Sequence, residues 1–128
     1  MDIKKLIPKH KFDIETAEKL KGYSYEQVKP IIPELLTWIQ DGHWPVAAPV
    51  ANFLIPFASN ITEELLNILR TNDPEWEFQC LRYFGFETND LKLKNEIIRL
   101  ALNPTPDEIE GFVQEISLEI IAYWKNKE

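Results

Sequence analysis

Few side chains in this sequence are able to carry a reaction, and their spacing restricts them further. The histidines are His10 and His43. Neither stands three or four residues from another His or Cys, so the close ligand pairs of a zinc site are missing and no metal is expected. Each reads as a turn histidine. The single cysteine, Cys80, lies beside Leu81 on an apolar helix face. A reactive thiol needs exposure and a nearby positive charge, which only Arg82 or His43 would offer, so a small core side chain is the expected role. One cysteine excludes an internal disulfide and suits a reducing compartment, so a cytoplasmic protein is expected. The four glycines, Gly22, Gly42, Gly85 and Gly111, are scattered. That leaves neither a P-loop nor a dinucleotide fingerprint, and no cofactor is expected. No serine occupies a Gly-x-Ser-x-Gly elbow.

Carboxylates are the abundant functional group. Glu75 and Glu77 flank Trp76, and Asp107, Glu108, Glu110, Glu115 and Glu119 crowd the last helical stretch. Read as one continuous helix, that stretch puts Glu108, Glu115 and Glu119 on a shared face opposite the apolar stripe. Paired-carboxylate catalysis needs two acids in different environments within a cleft, and the sequence shows no such desolvation. The expectation is therefore no catalytic residue. Glu75, Glu77, Glu108 and Glu115 are expected instead to form an acidic ridge that steers a basic partner. Among the tryptophans, Trp76 and Trp124 read as staples between packed helices. Trp44, in a turn between His43 and Pro45, is the best candidate for an exposed contact, because Trp and Tyr concentrate at binding hot spots.

The helices that must position these groups are marked by their caps. Asp13 starts a helix over 14–21, and Ser24 with Gln27 forms a capping box for a helix reaching about Gln40, interrupted by Pro30 and Pro33. The turn Asp41-Gly42-His43-Trp44-Pro45 leads into an apolar helix ending near Ala58. Asn60 with Glu63 reads as a further capping box. Asp73-Pro74-Glu75 is a cap followed by proline in the first turn. Thr88 starts the helix of Leu93, Ile97 and Leu100. Thr105-Pro106-Asp107-Glu108 opens a last helix with Ile109, Phe112, Val113, Ile116, Ile120 and Trp124 as its inner stripe. No stretch alternates with the period of a strand. The first residues lack the apolar run of a signal peptide, and the weakly polar run Trp44 to Ala58 is too short and too proline-rich to span a bilayer, so no membrane association is expected.

The starts Asp41, Asp73 and Thr105 recur every 32 residues, and Trp44 and Trp76 keep the same spacing. A two-helix unit of that period marks an α-solenoid, in which each unit buries its apolar face against the next. The expected fold is all-α: a short right-handed α-α superhelix with an N-terminal cap helix over 1–22 and helical hairpins over 23–58, 59–85 and 86–128. The segments Leu6 to Asp13, Pro33-Glu34-Leu35-Leu36 and Asp41 to Ala47 resemble, together, a small bacterial family of unknown function whose members are single-domain proteins about as long as this one. That resemblance spans the chain. It implies a superhelix of HEAT or armadillo type and carries no activity with it.

Charge completes the reading. The chain has 128 residues and a net charge of -7. Residues 1–21 hold six lysines against four acids, a net of +2, so the remainder is -9. Counterion release would oppose nucleic-acid binding by such a surface, so no nucleic-acid partner is expected. The leading expectation is a non-catalytic protein–protein interaction module for a basic partner. One alternative is an immunity or antitoxin-like protein that caps a basic toxin. The other is a helical-repeat enzyme such as a DNA-base glycosylase, which the acidic balance disfavours.

Overall fold

A computed structural model describes residues 2–127 of the chain. All regular structure is helical, with no strand among the described residues. None of these helices is long and apolar enough to cross a membrane. The chain divides into two compact units, Met1–Phe57 and Ala58–Glu128.

Short, well-capped helices build the first unit. Asp13 accepts a hydrogen bond from the Thr16 N–H and starts α1, Ile14–Lys19, which tightens into a 3-10 turn at Leu20–Gly22. Ser24 and Gln27 form the expected capping box at the head of α2, Tyr25–Val28. Pro30 then forces a 3-10 turn, Lys29–Ile31, before α3, Ile32–Thr37. The interruption expected near Pro30 is thus a split, because Pro30 offers no N–H to the helical ladder, and the last of these helices ends at Thr37 rather than near Gln40. α4, Ala47–Leu54, starts after Val46, whose N–H donates to the Lys11 carbonyl at 3.1 Å. Leu20, Val28, Ile32, Leu35, Ala47, Val50, Ala51 and Leu54 close this unit's core.

The second unit holds the longer helices. α5, Thr62–Ile68, starts from Ile61 without a side-chain cap, one residue beyond the expected Asn60. α6, Pro74–Cys80, is capped by Asp73, whose Oδ1 accepts from the Trp76 N–H at 3.2 Å. It widens into a π-helical turn, Leu81–Gly85. There Gly85 lets helix approach helix, since a Cβ would stand 2.5 Å from Ile120 Cδ1. Asp90 rather than Thr88 caps α7, Leu91–Leu102. Thr88 is buried and its Oγ1 accepts from the Asp90 N–H. The last helical stretch is two helices: α8, Pro106–Glu110, with the expected Thr105–Glu108 capping box, and α9, Val113–Lys127. α7 and α9 form the main packing of this unit, around Leu93, Ile97, Leu100, Ile116 and Ile120.

The break between α8 and α9 has a local cause. Gly111 passes so close to Pro74 that any Cβ would overlap the proline ring. The next residue, Phe112, takes φ 66°, a left-handed conformation that ends α8. Its N–H donates to the Ile109 carbonyl at 3.1 Å, and its own carbonyl accepts from Ile116 at 3.1 Å to start α9. The inner stripe expected across this region is corrected accordingly: Ile109 and Phe112 are exposed, whereas Val113, Ile116 and Ile120 are buried.

Candidate functional site

His43 and Trp44 belong to the first unit. Asp41 Oδ1 accepts from the His43 N–H at 2.8 Å and lies 3.2 Å from His43 Nδ1. The backbone N–H holds the Asp41 carboxyl below its ordinary range, helped by the imidazole. The His43 side chain is almost fully exposed at the apex of this turn. Trp44 is half-buried, and its ring meets Trp38 edge-on at 5.7 Å. The tryptophan therefore packs locally against Trp38 rather than standing free.

The four glutamates belong to the second unit, where the expected single ridge divides in two. Glu77 faces inward and is only 3 % exposed. Burial pushes its carboxyl up to about 7; repulsion from Glu108 and Asp73 adds to this, while Arg99 and the Asp73 backbone oppose it. Glu108 also turns inward. Its Oε2 accepts from Arg99 Nη2 at 2.9 Å and its Oε1 from Arg99 Nη1 at 3.2 Å, a forked pair. Arg99 Nε donates to Glu96 Oε1 at 2.7 Å as well. Burial alone would raise the Glu108 carboxyl, but the hydrogen bonds from Arg99 and Thr105 outweigh it and hold it below its ordinary range. One arginine thus links α7 and α8 and faces the buried acid of α6. The continuous-helix spacing that aligned Glu108 with Glu115 does not apply, because the Gly111–Phe112 corner turns α8 away from the line of α9.

Glu75 and Glu115 do come together, with Glu119, around a groove of about 630 Å³. Pro74, Phe78 and Gln79 of α6 form one wall, Gly111 and Phe112 one end, and Ile116 the far side. The residues of α6 that reach it follow helical spacing from Glu75 to Phe78 and Gln79, as do Glu115, Ile116 and Glu119 of α9. Apolar surface dominates the floor and carboxylates occupy the edge. Glu75, Glu115 and Glu119 are exposed and take part in none of the ion pairs found among the described residues. No lysine, arginine or histidine lines the groove. Its chemistry is that of an apolar slot with a negative rim.

Sequence reasoning missed Arg99, Phe78 and the exposure of Phe112. A signal for Arg99 existed in Glu96, three residues before it on one helix face. For Phe112 the signal was Gly111, placed where an uninterrupted helix would not hold a glycine. Cys80 is buried, and burial drives its thiol far above its ordinary value, so the side chain is a core residue with no nucleophilic character.

A comparison with curated proteins returns no match. A family model described as a domain of unknown function, DUF5071, matches residues 6–121, nearly the whole chain. The all-helical chain that forms this groove belongs to that family.

Proposed function

We propose that this protein is a non-catalytic interaction module whose groove between α6 and the start of α9 takes a basic amphipathic segment of another protein. The observation that carries this reading is the groove itself: an apolar floor of Pro74, Phe78 and Ile116 beneath the free carboxylates of Glu75, Glu115 and Glu119. An amphipathic helix buries its apolar side in such a slot, and lysines or arginines on its flanks meet the rim. A chain of net charge -7 adds long-range attraction for the same partner. The partly buried pairing of Glu108 with Arg99 serves to hold α7 and α8 in place beside the groove, not to meet the partner. The sequence spacing of 32 residues between Asp41, Asp73 and Thr105, the last two of which cap helices, supports a descent from stacked helical hairpins of HEAT type, a scaffold suited to binding segments of other chains.

The test is an anisotropy titration with a fluorescein-labelled leucine–lysine helix of about 14 residues, long enough to lie along a groove, beside its leucine–glutamate counterpart. Wild-type protein should bind the lysine peptide at least about tenfold more tightly than the glutamate peptide. The triple variant Glu75→Gln, Glu115→Gln, Glu119→Gln should lose that preference. Equal binding of both peptides by wild type, or unchanged binding by the triple variant, would refute the reading.

A further inference from the structure

We infer that Phe112 is the aromatic anchor of this groove, held in a disfavoured backbone conformation so that its ring stands ready at the groove's end for the apolar face of the bound segment. The inference rests on the groove reading above and deepens it.

The local sequence makes Phe112 costly for folding alone. The residue after a helix end that adopts the left-handed conformation is usually glycine and sometimes asparagine. Here that position is Phe112, at φ 66°. A large side chain with its Cβ is among the poorest choices for such a geometry. Glycine stands one residue too early to relieve it, because Gly111 is needed where the corner presses on Pro74. The other non-glycine residue with positive φ among the described residues, Asn72 at 60°, follows the ordinary preference. At 112 that preference is violated.

A packing role does not account for the violation. Phe112 is 60 % exposed, while its neighbours Val113 and Ile116 are buried. Phe112 instead lines the groove together with Phe78, Ile116, Glu115 and Glu119. Strained residues that persist despite a better local choice concentrate at sites of function. Aromatic residues, phenylalanine among them, are also enriched at the cores of protein interfaces. The segment that fits is an amphipathic helix with aliphatic side chains toward Phe112 and basic ones toward the rim.

Four variants separate this role from a structural one: Phe112→Gly, Phe112→Asn, Phe112→Trp and the triple glutamine variant, each measured by thermal melting and by the leucine–lysine peptide titration. Phe112→Gly and Phe112→Asn should melt at or above the wild-type temperature, since both suit the left-handed backbone, yet bind the peptide at least about tenfold more weakly. Phe112→Trp should stay within about threefold of wild type, because it keeps an aromatic hot-spot side chain. Binding by Phe112→Gly within about twofold of wild type, while the triple variant loses it, would overturn the anchor and leave the groove reading standing. Melting of both the Gly and Asn variants more than about 5 °C below wild type would show a core role and also overturn it. Absence of peptide binding by wild type would bring down both.

Discussion

At Glu77 a carboxyl group sits among α6, α7 and α8 with its ionisation moved into the neutral range. Its folded value of about 7 lies above the ordinary 4.5, so the folded chain holds its proton more tightly than the unfolded one. The resulting stabilisation is fully present below pH 4.5 and disappears as pH rises through 7. Above that, the buried charge costs about 3 kcal/mol. Glu77→Gln should therefore be more stable than wild type at pH 8, with the gap closing at pH 5, as read by urea denaturation at the two pH values. Glu108 behaves oppositely. Its lowered value means that the Arg99 pair stabilises the fold fully above the ordinary carboxylate value, and the stabilisation is lost as pH falls from there through the lowered one. Removing the arginine strands both acids. Arg99→Ala should cost about 2 kcal/mol near neutral pH, and Arg99→Lys should recover only part of it, because a lysine cannot make the forked contact.

Among the elements, the corner between α8 and α9 decides where the groove lies. Gly111→Ala should destabilise by about 2 kcal/mol or more, since the new methyl meets a rigid proline ring. Gly85→Ala should cost less, because its first obstacle is the flexible end of Ile120. Thermal melts of the two variants side by side give the order. Most helix starts were legible beforehand: Asp13, Ser24, Asp73 and Thr105 all carry the capping bonds their sequence signatures require. Those signatures are local, needing only an oxygen and a free N–H a few residues on. The misread starts, Asn60 and Thr88, were displaced by one and two residues in favour of Ile61 and Asp90. The break at Phe112 was signalled only by Gly111, and the reason for that glycine, its contact with Pro74, lies far away in the chain. The acidic site was half legible for the same reason: exposure of Glu75 and Glu115 follows from their own helices, whereas the inward turn of Glu77 and Glu108 brings them to Arg99 on another helix.

On the scale of the whole molecule, charge and burial act together. An excess of seven negative charges should make binding of the leucine–lysine peptide weaken as salt rises from about 0.05 M to 0.5 M, where the screening length shrinks to a few ångströms. A residual affinity at the higher salt, measured by the same anisotropy, would report the apolar floor. The interior offers a different readout. Cys80, the chain's only thiol, lies wholly within the core of its unit and is 2 % exposed. A maleimide reaches it only when that core parts, so the rate at which native protein becomes labelled is a clock for spontaneous opening. Each variant above can be timed on this clock without denaturant, one chain carrying a single, built-in reporter of how often its centre is laid open to solvent.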